Sequence, residues 1–140
     1  MFLRSNRALG ALFVLMGAVS AVPLADKEAA TGPQEYFYEV ATDHFANGGN
    51  MEYFKMRYIV DETYWDPETG PILFYAGNEG DIWGFYDNSG YMTDYLAKEL
   101  KALVVLGEHR YFGVSYPFDP SVAFTPEHNV YLTVEQAMMD

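Results

Sequence analysis

The sequence predicts an α/β fold, with a mixed sheet and flanking helices. Two apolar runs of strand length, Ile72–Ala76 and Leu103–Leu106, stand on either side of a segment with helical periodicity. A strand, a helix and a second strand in succession form a βαβ unit, whose strands lie parallel. Two earlier β-prone runs that flank a turn add an antiparallel hairpin to this unit.

The hairpin is expected from Tyr36–Val40 and Tyr53–Val60, which are rich in aromatic and β-branched residues and flank the turn sequence Asn47–Asn50. A second turn cluster, Asp66–Pro71, leads into Ile72–Ala76. Because this run is short, apolar and uninterrupted, it is typical of a strand that is covered on both faces.

Two helical segments are expected. The second begins at Thr133, which forms a capping box with Gln136. Its apolar residues have nothing to pack against when the sequence reaches Asp140, so we expect the fold to require further chain. The first helix follows from a mostly apolar stripe at three- and four-residue spacing, which consists of Met92, Tyr95, Leu96, Glu99, Leu100 and Leu103.

The composition excludes several classes of protein. The 140 residues contain no cysteine, which excludes a disulfide scaffold and a cysteine nucleophile. Twenty acidic residues stand against eight Lys and Arg, and this balance argues against nucleic acid as a partner, because phosphate contacts need basic side chains. Half of the residues are hydrophobic and 17% are aromatic, so the chain is expected to bury a core.

The first residues are typical of a secretory signal peptide. Arg4 and Arg7 precede an apolar run at 8–19, and small residues follow it around Ala21. A membrane anchor is the competing interpretation, but the run is shorter than the about 20 residues that span a bilayer. We therefore divide the chain into a signal peptide (1–21), a linker or pro-segment (22–35) and a globular part (36–140). A secreted or endomembrane-lumenal protein with no membrane attachment after cleavage is expected.

Polar residues flanked by glycines follow the strand Ile72–Ala76. Open α/β sheets bind ligands at the carboxyl ends of their strands, and glycine lets backbone amides point outward as an oxyanion hole. An ordinary strand-to-helix turn with solvated acids accounts for the same pattern. The candidates for the oxyanion hole are Gly77, Asn78, Glu79 and Gly80.

Three charged or titratable residues, Glu108, His109 and Arg110, follow the strand Leu103–Leu106. They are candidates for a base or a substrate clamp, and a structural ion pair with a helix or loop cap is the alternative. We expect Arg110 to pair with Glu79 or Asp81 across the top of the sheet.

The segment Gly113–Pro117 resembles a nucleophile elbow only superficially. Ser115 is followed by Asp119 and His128, which is the chain order Ser, Asp, His of hydrolase triads. An elbow needs a strand directly before it and a helix directly after it, whereas here proline replaces the second glycine and the next helix signal lies far downstream. We therefore expect no self-contained triad, and no catalytic residue is assigned within the chain.

The remaining histidines and aromatic residues are interpreted as structural. His44 and His128 are expected to be hydrogen-bonded structural residues, and no helical metal-ligand spacing such as His-x-x-x-His occurs, so no metal or cofactor is predicted. The aromatic residues are expected mainly in the core, with an apolar pocket or a sugar platform as alternatives. The set comprises Trp65, Trp83, Tyr86, Tyr111 and Phe112.

Several segments occur together in a characteristic order, namely Asp43–Phe45, Arg57–Tyr58, Tyr64–Trp65, Gly70–Ile82, Gly107–Phe118 and Tyr131–Asp140. With them, residues 36–140 resemble the start of the lysosomal Pro-Xaa carboxypeptidase and dipeptidyl peptidase II family of serine peptidases. The resemblance implies the amino-terminal part of an α/β-hydrolase fold, incomplete here. It also implies that Gly77–Gly80 occupies the loop that supplies one oxyanion-hole amide.

The resemblance further implies a secreted or lysosomal enzyme that cleaves beside proline near one end of a peptide, through acyl transfer to a serine. The family's nucleophile motif, Gly-x-Ser-Tyr-x-Gly, and the rest of its triad are expected beyond Asp140, so the 140 residues alone are predicted to be inactive. The full-length form would bind peptides with proline near a terminus, with a homodimer allowed. The alternative is a naturally short, non-catalytic secreted binding protein. In the isolated 140 residues, one of the two strands that would flank Ile72–Ala76 in this fold is absent, so Ile72–Ala76 becomes a bare apolar edge strand that favours aggregation.

Overall fold

The computed structural model describes residues 32–47, 49 and 51–140. The predicted signal peptide and nearly all of the predicted linker lie outside these residues, as do two positions of the turn Asn47–Asn50. The first strand begins at Gln34. The last two residues assigned to the linker, Gln34 and Glu35, therefore belong to the sheet.

Four strands form one mixed sheet in the order β1-β2-β4-β3. The antiparallel pairing of β1 with β2 confirms the hairpin, and the parallel pairing of β3 with β4 confirms the βαβ unit. Strands β2 and β4 are antiparallel and join the two halves. The strands are β1 (Gln34–Ala41), β2 (Tyr53–Asp61), β3 (Ile72–Tyr75) and β4 (Leu103–Gly107).

The helical segments connect and flank these strands. The crossover from β3 to β4 contains α1 (Ile82–Asp87), a π-helix (Tyr91–Leu96) and α2 (Ala97–Leu100). After β4 come a 3₁₀ helix (Asn129–Tyr131) and α3 (Val134–Met139). The Thr133 hydroxyl accepts a hydrogen bond from the Gln136 amide at 3.2 Å, which confirms Thr133 as the cap of α3. The predicted capping box is not completed, because the Gln136 side chain binds Asp43 and His44 instead. In the described part of the chain, no helix combines the length and the apolar character needed to cross a membrane.

The core lies on the sheet face that carries the crossover. Ile59, Val104 and Leu106 of the sheet pack with Ile82 of α1 and Ala97 of α2, and all five are buried. The other face holds a smaller cluster of Val40, Phe54 and Met56. The crossover thus places the start of α1 directly beside the ends of β3 and β4.

The helix predicted from the stripe Met92 to Leu103 differs from the structure. Tyr95 and Leu100 of that stripe are exposed, whereas Thr93 and Ala97 are buried. The reason is the π-helix, whose wider turns displace the residues from the 3.6-residue period that the stripe assumes. The αL conformation of Lys101, with φ 50°, then ends α2 before Leu103, which is the first residue of β4.

Strand β3 is an edge strand, and only one of its faces is covered by the described residues. It pairs with β4 alone, as expected. Leu73 and Tyr75 pack against the core, whereas Ile72 and Phe74 are each 64% exposed. The expectation of a strand covered on both faces was therefore wrong for these residues, since period-2 alternation sends Ile72 and Phe74 to the face opposite the crossover.

Candidate functional site

The candidate site lies at the carboxyl ends of the parallel strands β3 and β4. Because Tyr75 is paired with Leu106, the loop Gly77–Gly80 and the residues after β4 start side by side. Gly77 has φ +78°, and a Cβ on it would lie 2.5 Å from the Gly107 carbonyl oxygen and 2.9 Å from the His109 nitrogen. Only glycine fits this left-handed conformation and close backbone approach. The loop is thus pressed against the chain that carries Glu108.

Two of the four oxyanion candidates already donate hydrogen bonds within the loop. The Glu79 amide donates to Asn78 Oδ1 at 2.8 Å, and the Gly80 amide donates to the Asn78 carbonyl oxygen at 2.8 Å. The amides of Gly77 and Asn78 make no such bond within the loop, as far as the described hydrogen bonds show. An outward-facing donor is therefore more readily supplied by the first half of the loop than by the second.

The Glu108 side chain is fully buried and accepts four hydrogen bonds from three segments of the chain. Its Oε1 accepts from Arg57 Nη2 at 2.5 Å and from the Ile82 amide at 3.0 Å. Its Oε2 accepts from the Val114 amide at 3.0 Å and from the Ser115 hydroxyl at 2.8 Å. A buried carboxylate is stable only when it is paired and hydrogen-bonded in this way. Of the two alternatives left open for Glu108, its contacts are those of structural support.

Arg57 is the cation of this cluster, and its side chain is 7% exposed. Besides Glu108, it contacts Asp81 at 2.5 Å and Glu35 at 3.3 Å. Burial alone would lower the pKa of Arg57, but the hydrogen bonds to Glu108 and Asp81 outweigh burial and raise that pKa above its ordinary value. Trp83 Nε1 also donates to Glu35 at 2.7 Å. The cluster thereby joins β1, β2, α1 and the residues after β4.

Replacing Asp81 by Asn is expected to reduce the loss of stability in acid. The hydrogen bond from Arg57 is the main cause that holds the pKa of Asp81 below 3.8, its ordinary value. A carboxylate whose pKa is lowered by folding stabilises the protein above the unfolded-state pKa, and this contribution is lost as the pH falls through the folded-state pKa. Urea unfolding between pH 2.5 and 6 should therefore give a shallower pH dependence below pH 4 for Asp81→Asn. The difference should vanish when Arg57 is also replaced by Met, and an unchanged slope in Asp81→Asn alone would contradict the assignment.

Arg110 does not pair with Glu79 or Asp81, so that hypothesis was wrong. Its fully buried guanidinium contacts Asp140 through Nε at 2.8 Å and Nη2 at 2.5 Å. It also donates to the carbonyl oxygens of Ala41, Thr42 and Tyr131. These contacts lie on the sheet face opposite α1, whereas Asp81 caps α1 on the other face and pairs with Arg57. Arg110 therefore ties the end of α3 to the end of β1.

The side chains of His44 and His109 have hydrogen-bond partners outside the loop Gly77–Gly80. His44 Nε2 contacts Asp140 Oδ1 at 2.8 Å, and the His44 amide donates to Gln136. His109 is hydrogen-bonded through Nδ1 to the Arg110 carbonyl oxygen at 2.7 Å. Across residues 32–47, 49 and 51–140, no group of three or more histidine, cysteine or acidic residues could hold a metal ion.

The Ser115, Asp119 and His128 side chains each have different partners. The Ser115 hydroxyl donates to Glu108 and accepts from the Arg57 amide at 2.9 Å, and Ser115 is fully buried. Asp119 accepts from Ser121, and His128 Nδ1 lies 3.0 Å from Thr125 Oγ1. A nucleophilic serine needs a hydrogen bond to its base and access to substrate. Ser115 is buried away from substrate, and no histidine is among its described hydrogen-bond partners.

The aromatic residues singled out in the sequence do not line the apolar groove on the sheet face opposite α1. That groove, of about 650 Å³, lies between α3 and the sheet face opposite α1, and it is lined by other side chains such as Tyr38, Tyr58 and Phe74. Trp83 and Tyr86 pack against the main core, and Tyr111 is fully buried. These three follow the core interpretation rather than that of a pocket or a sugar platform.

Sequence reasoning gave no role to Arg57, although it is the centre of the cluster. A signal was present, because Arg57, Ile59 and Asp61 occupy alternate positions of β2 and so share one face. A basic and an acidic residue on the same face as a buried isoleucine require buried partners. Asp140 was missed as well, because its partners Arg110 and His44 lie far from it along the chain.

Replacing Gly77 by Ala is expected to destabilise the protein by about 1–3 kcal/mol from the positive φ alone. The contacts at 2.5 and 2.9 Å to the backbone after β4 add to this cost. The matched control is Gly84→Ala in α1, where a Cβ meets no atom within 4 Å. There the exchange should raise the free energy of unfolding by about 0.5–1 kcal/mol. Denaturant unfolding of both variants measures the difference, and equal effects would show that the loop does not require glycine.

A family model and several known proteins match this chain, and they agree on one family of peptidases. The family model described as "Serine carboxypeptidase S28" matches residues 41–140. The chain is 43% identical over 122 residues to the Mus musculus protein named "Lysosomal Pro-X carboxypeptidase", covering 87% of this chain and 24% of the mouse protein. The Homo sapiens protein of the same name is 40% identical over 134 residues, with 96% of this chain and 26% of that protein covered.

A third relative is the Caenorhabditis elegans "Prolyl carboxy peptidase like protein 5", which is 41% identical over 107 residues, covering 76% of this chain and 20% of the relative. The chain thus spans about a quarter or less of the length of these relatives. The matched region contains the glycine loop after β3 as well as Arg57, Asp81 and Glu108. With a family model that covers most of the chain and relatives at 40–43% identity over 87–96% of it, the chain belongs to the serine carboxypeptidase S28 family of peptidases.

Proposed function

We propose that this chain is the amino-terminal part of a serine exopeptidase with an α/β-hydrolase fold, which cleaves peptides beside a proline near one terminus. Family membership supports the reaction class, and the names of the relatives support the preference for proline. The observation that carries the proposal for this chain is the position of Gly77–Gly80 at the carboxyl end of β3, pressed against the residues after β4.

The reaction that this loop would serve is acyl transfer to a serine hydroxyl. Attack on the scissile carbonyl turns its oxygen into an oxyanion, and backbone amides held in place beforehand stabilise that charge. Gly77–Gly80 would supply one of the two amides, from the first half of the loop. The second amide, the serine, its histidine and its aspartate would come from segments that correspond to the remaining length of the relatives.

The isolated 140 residues are accordingly proposed to be inactive. The described hydrogen bonds place no serine hydroxyl next to a histidine, and Ser115 is bound to Glu108 instead. One oxyanion donor without a nucleophile and base leaves little rate enhancement. Peptides with a proline near one end are the proposed substrates of the whole protein, and the secretory pathway or the lysosome is its proposed location.

The test begins with the reading frame after the codon for Asp140. A frame that encodes Gly-x-Ser-Tyr-x-Gly within the next few dozen codons supports the proposal, and a stop codon there favours a short binding protein instead. The full-length product and the 140-residue chain are then assayed on Pro-Xaa and Xaa-Pro reporters. Activity of the full-length product alone is the expected result. Activity of the short chain that is lost on Ser115→Ala would overturn the assignment of Ser115 as structural.

A further inference from the structure

We propose that Glu108 is the positioning residue that fixes the loop from Gly77 to Ile82, and with it the oxyanion-side amide. This inference rests on the proposed function and adds to it a residue that acts on the reaction through the loop. Glu108 contacts the loop at both of its ends, with its backbone at Gly77 and with its carboxylate at Ile82.

The start of the loop rests on the backbone of Glu108. A Cβ on Gly77 would lie 3.2 Å from the Glu108 carbonyl carbon and closer still to the atoms on either side of it. The first residue of the loop therefore has no room to move towards β4. Any shift of the backbone at Glu108 would be transmitted to Gly77 through this contact.

The end of the loop is held by the side chain of the same residue. Glu108 Oε1 accepts the Ile82 amide at 3.0 Å, and Ile82 is the first residue of α1. Asp81, just before it, shares Arg57 with Glu108. The Ile82 amide and the Arg57 guanidinium thus draw the end of the loop to one carboxylate.

The carboxylate has a space shaped for it. Gly113 has φ +59°, and a Cβ there would lie 1.9 Å from Glu108 Oε1 and 2.3 Å from its Cδ. The absence of a side chain at Gly113 makes room for the carboxylate, while the neighbouring Val114 amide and Ser115 hydroxyl donate to Oε2. This explains the role of Gly113–Ser115, which the superficial resemblance to a nucleophile elbow left unexplained.

The chain offers a matched control in Asp61, the last residue of β2. Asp61 is 5% exposed and accepts hydrogen bonds from the Tyr86 hydroxyl at 2.6 Å and the Thr63 amide at 2.9 Å. None of the hydrogen bonds described for Asp61 reaches the loop. Glu108→Gln and Asp61→Asn both convert a buried carboxylate to an amide, and each leaves a buried donor facing another donor. Both should lower the melting temperature, but only Glu108→Gln should disturb the loop.

The experiment compares these two variants in the full-length protein. For Glu108→Gln we expect kcat on a proline reporter to fall by about ten- to a hundredfold with KM changed less than twofold, because an oxyanion contact acts in the transition state. Amide exchange in residues 77–82 should become about tenfold faster or more. Asp61→Asn should leave kcat and this exchange within twofold. Equal losses of kcat in the two variants, or a change in KM alone, would overturn the proposal.

A further variant covers the case in which Glu108→Gln does not fold. Gly113→Ala keeps the carboxylate but displaces it, so it should reproduce the loss of kcat and the faster exchange. Failure of the proposed function is separately visible: wild-type protein without activity on either reporter would overturn that function. Exchange in residues 77–82 would then decide the role of Glu108, with faster exchange in the variant supporting it and unchanged exchange overturning it.

Discussion

Replacing Arg57 by Met is expected to lower the free energy of unfolding by about 3–5 kcal/mol, because it leaves a buried charge without its partner. Glu108 is fully buried and the Arg57 side chain is 7% exposed, so water cannot take the place of the guanidinium. Asp81 and Glu35 lose the same partner. Urea unfolding followed by tryptophan fluorescence, at concentrations that keep the protein monomeric, measures the change.

A double-mutant cycle tests the cause of this effect. In Arg57→Met with Glu108→Gln, no uncompensated charge remains at the buried position. The double variant should therefore lose clearly less stability than the sum of the two single losses. Arg57→Lys keeps the charge but not the planar fork that reaches Glu108 and Asp81 together, so it should fall between wild type and Arg57→Met. Additive losses would show that Arg57 and Glu108 are not coupled.

Replacing Phe74 by Glu is expected to raise the soluble monomer concentration of the isolated 140-residue chain by about tenfold. Among the described residues, strand β3 pairs on one side only, and Phe74 is 64% exposed on the face that borders the apolar groove. An exposed apolar edge strand offers unpaired backbone groups to a second copy, and an inserted charge opposes that pairing. We expect the unmodified chain to aggregate, as measured by size-exclusion chromatography and sedimentation.

The matched control for Phe74→Glu is Tyr91→Glu. Tyr91 is 70% exposed at the start of the π-helix, away from the edge of the sheet. Like Phe74→Glu, the Tyr91→Glu substitution removes an aromatic ring and adds one negative charge. If net charge alone governed solubility, the two variants would behave alike. A sharp, reversible melting transition of the unmodified monomer at high concentration would contradict the role given to the edge.

The strands could be predicted from the sequence because their signals are local. Apolar, β-branched and aromatic residues in runs of strand length marked all four strands to within a few residues. The order strand, helix, strand predicted the parallel pairing of β3 with β4. The cap at Thr133 was equally local. The stripe from Met92 to Leu103 failed because a π-helix changes the period on which such a pattern depends.

For the candidate site, the sequence predicted where the loop lies but not which residues hold it in place. The glycines after β3 marked the loop because the positive φ of Gly77 and its close backbone contacts leave no room for a side chain. The residues that hold this loop could not be chosen in the same way. Arg57 and Glu108 are 51 residues apart in the chain, and Ser115, which looked like part of a nucleophile motif, donates to Glu108.

By itself, the sequence determined the α/β class, the hairpin, the parallel unit and the resemblance to a family of serine peptidases. Each of these depends on residue type and spacing within short segments. The tertiary structure alone decided which ion pairs form. Arg57 pairs with Glu108 and Asp81, and Arg110 pairs with Asp140. With 20 acidic residues for 8 basic ones, many pairings are chemically equivalent. Only the register of the strands and the face on which each helix packs bring one carboxylate within reach of a given guanidinium and bury the pair away from water.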